Sequence, residues 1–311
     1  SQYIMSKLFE MKQNKKDRVV LTDEMLLKYG LQLTLHQVED ANEGEVVNGC
    51  LILKNKEYTF QKYQKYQNRE DFVAVFALKL RKVPANMFYR AKNLKTVVML
   101  EAEEIEDGLI FDQQTIGAFQ ETVVEKCYFP KMRRVGMSVF YNCRIKSLDE
   151  ENFPVLREVG IGGFMKCAVE RLNLPFLEKI DEYGFSGCPF ASVNLPNLIS
   201  VGRHGFCECN QLRQFTAEKL EELRDNCFTN CPMLSSINCN MEADDFICDD
   251  DYGMCQQGCP VCFEQVEACL QRGRSGELEK DVEIDEEVID KVLKKYQVGI
   301  TVQQALDAQD G

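Results

Sequence analysis

The sequence predicts a repeat solenoid, with a parallel β-strand on one side of every coil, irregular or 3₁₀-like returns on the other, and helical caps at the ends. Three observations predict it. Phe140, Phe164, Phe185, Phe206 and Phe228 follow one another at intervals of 24, 21, 21 and 22 residues. Each has an apolar residue eight positions before it (Met132, Leu156, Leu177, Leu198, Leu220) and another five before it (Val135, Val159, Ile180, Val201, Leu223). Each has a cysteine three positions after it: Cys143, Cys167, Cys188, Cys209 and Cys231. A period of this length, kept by several independent positions, marks stacked units that bury one shared core.

One unit reads as a strand and a return. In Val169-Glu170-Arg171-Leu172-Asn173-Leu174 the last apolar residues alternate, which makes a strand with Leu172 and Leu174 inward. Pro175 ends it, having no N–H for a ladder. Leu177 to Phe185 is too short for a helix, and its apolar spacing suits an irregular return. The residue before each Phe is mostly small (Ala118, Gly163, Gly184, Gly205), as a tight, packed turn requires. The phenylalanines then form a buried spine, and the cysteines fill a small apolar slot beside them.

Residues 1–71 read as an N-terminal cap on the open end of the stack. It has a short basic helix over Lys7–Arg18, a helix from Thr22 to Tyr29 closed by Gly30, alternating Leu31, Leu33 and Leu35, and strand-like Val46-Val47 and Cys50 to Leu53. The solenoid spans 72–239 and opens at Phe72, Val75 and Ala77. One unit is irregular. Phe88 and Phe119 stand 31 positions apart, with an acidic insertion expected around Glu101 to Gly108 and Gln114 standing where Val or Ile belongs. Three extra residues around Asp149 to Asn152 are a second departure. Residues 240–311 read as an acidic, cysteine-rich cap and helical tail. A capping helix is expected from about Cys262 to Leu270, a hinge over Gln271 to Ser275, an apolar-striped helix over Asp285 to Tyr296, and a last short helix from Thr301 to Leu306.

The unit Leu-x-x-Ile/Val-x-x-x-Gly/Ala-Phe-x-x-Cys-x-Leu-x-x-Val-x-Leu-Pro is plainest in Ile180-Asp-Glu-Tyr-Gly-Phe185-Ser-Gly-Cys188 and Val193-Asn-Leu195-Pro196. It resembles the leucine-rich repeat of the BspA-like class. The resemblance implies a curved solenoid with its parallel sheet on the concave side. It also implies recognition of protein or glycan in place of catalysis, and relatives of that class are often surface proteins.

Charge and composition narrow the function classes. The formal net charge of −13 argues against a phosphate-binding surface, so no nucleic acid is expected. From Asn240 to Gly311 stand 18 acidic and 6 basic residues, which leaves the remainder of the chain close to neutral. No run of eighteen apolar residues occurs, so no membrane span is expected. Residues Ser1 to Glu10 lack a charged-then-apolar leader pattern, and the 15 cysteines then read as reduced thiols of a cytoplasmic monomer.

The default binding surface of such a solenoid is its concave face, for a partner protein that the residues do not identify. Strand residues expected to point outward there are Lys126, Tyr128, Lys146, Asp149, Glu170, Arg171, Asn173, Ser192, Asn194, Arg213, Gln214, Thr216, Ser236 and Asn238. No catalytic residue and no cofactor is assigned. The alternative is a metal-binding regulator or enzyme built on the Cys248–Cys269 cluster, with Cys255, Cys259, Cys262 and Cys269 as candidate ligands, since thiolates suit zinc or iron. A paired Cys-x-x-Cys knuckle is missing, and packing thiols in a capping helix are the simpler expectation. Asp249-x-Asp251-x-Gly253 lacks the closing glutamate of a calcium loop. His36 and His204 are far apart in the chain, and His204, in a return, is expected to be exposed.

Overall fold

Inward apolar residues recur on both limbs of each unit, and they fold into two parallel sheets that face each other across one core. The structure is a computed structural model that describes residues 21–111, 114–248, 260 and 265–275. Its described residues form a parallel β-solenoid of about 9 turns. The front sheet holds β2 (Cys50–Leu53), β3 (Ala74–Ala77), β5 (Thr96–Met99), β9 (Lys126–Tyr128), β11 (Ser147–Leu148), β13 (Arg171–Leu172), β15 (Ser192–Asn194), β17 (Gln214–Ala217) and β19 (Ser236–Cys239). This is the face that the sequence places on the concave side. The back sheet holds β4 (Lys82–Val83), β6 (Glu104–Ile105), β10 (Arg134–Val135), β12 (Glu158–Val159), β14 (Lys179–Ile180), β16 (Ser200–Val201) and β18 (Glu222–Leu223), seven strands in one continuous ladder.

The returns are therefore more regular than the irregular or 3₁₀-like path expected of them. Among the described residues 3₁₀ turns occur at Gln64–Tyr66 and Ala243–Asp245, outside the repeated returns. Once the coils are in step, Val135, Val159, Ile180 and Val201 fall in direct register. The polar residue before each of them then lies at ladder spacing from its neighbours, and the short strand follows.

Between the sheets runs the aromatic spine. Tyr66, Phe88, Phe119, Phe140, Phe164, Phe185, Phe206, Phe228 and Phe246 stack in sequence with ring centroids 5.1 to 6.4 Å apart. Each stacked pair adds about 0.5–1.5 kcal/mol beyond its burial. The cysteines three residues on are unbridged and buried. Each thiol donates to the carbonyl of the phenylalanine one coil earlier: Cys143 to Phe119 at 3.6 Å, Cys167 to Phe140 at 2.8 Å, Cys188 to Phe164 at 3.2 Å, Cys209 to Phe185 at 3.3 Å and Cys231 to Phe206 at 3.1 Å. A thiol suits this slot because it is small and apolar yet still carries a donor. In the coil of Phe119 the position is held by Thr122, whose hydroxyl donates to the Phe119 carbonyl at 2.6 Å. The small residue before each Phe is needed by its own coil: a Cβ on Gly184 would lie 2.5 Å from Ile180 Cγ2.

Four expectations are corrected. The stack begins one coil before Phe72, because β2 pairs with β3 in parallel, Cys50 opposite Ala74. The irregular coil keeps its register through Ala102 and Ile105, with Ile105 opposite both Val83 and Val135. The extra residues are instead an antiparallel hairpin, β7 (Leu109–Phe111) with β8 (Gln114–Ile116), so Gln114 occupies no core slot. His204 is buried, with its ring stacked 4.6 Å from that of Tyr183. Both stand two residues before a spine Phe with left-handed backbone, φ +59° and +56°, so equivalent side chains meet coil over coil. Finally, Gln271 to Ser275 is the end of a helix and not a hinge. Gly273 is there for close approach, since a Cβ on it would lie 2.1 Å from the Ile237 carbonyl oxygen.

The N-terminal residues do more than close the stack. Helix α1 (Asp23–Lys28) is capped by the Thr22 hydroxyl, which accepts from the Met25 amide at 3.2 Å. Helix α2 (Leu35–Asp40) replaces the alternation read at Leu35, because Thr34 and Gln37 make a reciprocal capping box. Leu26, Leu31, Leu33 and Val38 pack against Cys50, Ile52, Ala74, Phe76, Val98 and Leu100, the outward residues of the first front strands. Strand β1 (Val46–Val47) lies antiparallel on the edge of β2, and helix α3 (Phe60–Tyr63) adds Tyr63 to the main core. At the other end helix α4 (Val266–Ser275) covers the edge of β19. There Arg272 Nε donates to the Ser235 carbonyl at 2.7 Å, and Arg274 Nη2 to that of Met241 at 2.9 Å. Among the described residues no helix is long and apolar enough to cross a membrane. The expected helices over Lys7–Arg18, Asp285–Tyr296 and Thr301–Leu306 lie outside the described residues.

Candidate functional site

The two sheets present different surfaces. On the back sheet the outward residues Lys82, Glu104, Arg134, Glu158 and Lys179 are in direct register and alternate in sign. Lys82 meets Glu104 at 3.7 Å, Arg134 meets Glu104 at 3.3 Å, Glu158 at 3.4 Å and Asp107 at 2.7 Å, and Lys179 meets Glu158 at 3.8 Å and Asp181 at 2.8 Å. Opposite charges across a ladder stabilise it, and they leave little field to attract a partner.

The front sheet is open only in part. Its first strands lie beneath the N-terminal helices, and its last edge beneath α4. Between them, from β9 to β19, the side chains expected to face outward form columns. Arg171, Ser192, Asn173 and Asn194 are exposed, as are Lys126, Lys146, Glu170 and Arg213. Asp149, Gln214, Thr216, Ser236 and Asn238 are half-buried. Register aligns Ser192, Gln214 and Ser236 in one column, and Asn194, Thr216 and Asn238 in the next. Tyr128 departs from the expectation. Its ring stacks on Tyr29 with centroids 4.0 Å apart, so it is engaged within the chain. Burial, and then the hydrogen bond to Tyr128, push the Tyr29 phenol well above its ordinary pKa.

The front ladder breaks between β9 and β11, and the break opens a cleft of about 660 Å³. The extra residues at Asp149–Asn152 shape it. Asp149 accepts from the Ser147 hydroxyl and from the amides of Glu151 (3.0 Å) and Asn152 (3.3 Å), while the Asn152 carbonyl accepts from the Phe129 amide at 2.9 Å. Lys28 and Tyr29 at the end of α1 form the opposite wall, tied across by Lys28 to Glu151 at 3.8 Å. Val98, Cys127 and Ala168 contribute apolar surface. The lining holds five cations (Lys28, Lys126, Arg144, Lys146, Arg171) and three carboxylates (Glu125, Asp149, Glu151). Lys146 pairs with Glu170 at 3.7 Å, whereas Lys126, Arg144 and Arg171 form no ion pair among the described residues. A chain of net charge −13 thus concentrates uncompensated positive charge at the first of the two interruptions of its front sheet among the described residues, the other lying between β13 and β15. Reading columns of outward residues finds Lys126, Lys146, Asp149 and Arg171 but misses Lys28, Tyr29 and Arg144, which reach the cleft from outside the strands. The insertion at Asp149 was the only signal available for the break.

The cysteine cluster falls mostly outside the described residues. Cys255, Cys259 and Cys262 lie outside the described residues. Cys269 is buried in α4, its thiol 3.7 Å from the Leu234 carbonyl and 3.4 Å from Arg272 Nη2, which is packing of a cap. Among the described residues no three His, Cys, Asp or Glu side chains gather as metal ligands would.

The fold is that of a β-solenoid repeat protein. Residues 114–176 and 157–246 match the family model described as BspA type leucine-rich repeat region (6 copies). Over residues 114–246 the chain carries leucine-rich repeats of the BspA type. No curated protein and no solved structure matches the chain.

Proposed function

We propose that the protein is a non-catalytic recognition module that binds a partner protein through the front face between β9 and β19. The observation that carries this reading is the contrast between the two sheets: the back-sheet charges are satisfied by one another, whereas Lys126, Arg144 and Arg171 on the front are not. The family supports interaction as the role of the repeat. The covered strand edges, β1 over β2 and α4 over β19, support a monomer, because an open edge is where copies would pair. A photo-crosslinking phenylalanine analogue tests the assignment. Placed at Asn194 on the front it captures the partner; placed at Glu222 on the back it does not. Equal capture from both positions, or capture from Glu222 alone, refutes the front-face reading.

A further inference from the structure

The cleft between β9 and β11 has a candidate ligand in the chain itself. Beyond Ser275, where α4 ends on β19, the sequence runs Glu277-Leu278-Glu279-Lys280-Asp281-Val282-Glu283-Ile284-Asp285. Acids stand at every second position, with Leu278, Val282 and Ile284 among the alternate ones. In an extended segment that alternation places the carboxylates on one side and the apolar side chains on the other.

We propose that the cleft is a binding site for an acidic, extended peptide segment, and that its resident occupant is Glu277–Asp285 of the same chain. This rests on the reading of the front face as a binding surface. Charge complementarity is the first argument. Lys126, Arg144 and Arg171 are unpaired among the described residues, and the apolar surface of Val98, Cys127 and Ala168 lies beside them. Reach is the second. From β19 back to β13 is three coils and to β9 is five, about 14 to 24 Å at ~4.8 Å per strand. An extended chain covers ~3.3 Å per residue, so the acids from Glu277 to Asp285 fall at about 7 to 33 Å from Ser275 and bracket the cleft. Tethering is the third, since a linked segment meets its site at an effective concentration of about millimolar. The occupant would hold the front face closed until a partner with stronger acidic contacts displaced it.

Zero-length carbodiimide coupling of the full chain tests this, because it joins lysine amines to carboxylates already in contact. The expected products are peptides linking Lys126 or Lys146 to the Glu277–Asp285 stretch. They should come from the monomeric species, at least about tenfold more abundant than links from the same acids to Lys82 or Lys179 on the back sheet. They should disappear in the full-length variant carrying Glu279→Gln, Asp281→Asn and Glu283→Gln, and that variant should bind the partner more tightly than the wild type. Links spread evenly over front and back lysines overturn the proposal, as do links confined to dimers, which would make the occupant a second copy. If the links are absent while the analogue at Asn194 still captures the partner, the segment is not the occupant and the front-face reading stands.

Discussion

At the residue scale, the repeated Phe and Cys act as one unit: the ring fills the core, and the thiol three residues later ties that coil to the carbonyl of the one before. Burial raises the pKa of Cys143 to about 12 and that of Cys167, Cys188 and Cys231 well above the ordinary range. Because the thiolate is the reactive species, these four should resist a thiol reagent in the folded protein and react only on unfolding. Among the described cysteines half-buried Cys248 should be modified first, and mass mapping of the labelled peptides checks the order. His204 gives a second prediction. Burial, and then the Arg203 cation, lower its pKa below 6.5 in the folded chain. The unfolded chain therefore takes up the proton first as pH falls. The contribution is complete above the unfolded value, is lost as pH drops through it, and levels off below the folded value. Replacing His204 by Phe keeps a ring over Tyr183 and removes the titration. Denaturant unfolding from pH 7.5 to 5 should show the wild type losing stability relative to His204→Phe, whereas parallel curves would show that His204 does not couple to folding. The period revealed the spine because every coil repeats the same packing problem. It did not reveal the burial of His204, since among the described residues Tyr183 is the one ring stacked on it and a two-member series is no pattern.

Elements add what single coils lack. The back-sheet ladder Lys82–Glu104–Arg134–Glu158–Lys179 forms only because five returns stack in register, and Arg134 sits at its centre with three carboxylates. Replacing Arg134 by Glu places like charges in line with Glu104 and Glu158. The expected cost is about 1–2 kcal/mol, from lost pairs worth ~0.2–1 kcal/mol each and new repulsion of similar size. Chemical denaturation at low salt should show the loss, and added salt should shrink it. An unchanged midpoint would mean that the ladder is ornamental to stability. The short back strands were hidden in the sequence because two residues carry no alternation to read. The hairpin of β7 and β8 was misplaced for a related reason. Ala102 fills the slot that Leu fills elsewhere, and an alanine there does not stand out as the apolar mark of a coil. Gly273 looked like flexibility, but its function is contact with Ile237.

For the whole molecule, the question is which part of a long surface remains available. The sequence shows that Leu26, Leu31, Leu33 and Val38 must be buried, but it cannot say on what. Their resting place on the outward side of β2, β3 and β5 removes that third of the front face from use and engages Tyr128. The remaining columns, from Lys126 to Asn238, were readable because strand alternation assigns a side to every residue. The cleft was not, since it depends on a ladder break and on a helix folding back from far away in the chain. We propose that a partner binds this open front face. Affinity for the partner, isolated on the wild-type chain, separates the two faces when measured for Arg171→Glu with Arg213→Glu against Arg157→Glu, which alters the pairing to Glu178 beside the back sheet. The front pair should weaken binding by about tenfold or more, as loss of about 1.4 kcal/mol requires, while Arg157→Glu leaves it unchanged. Loss of binding from Arg157→Glu, with the front pair indistinguishable from wild type, would contradict the account.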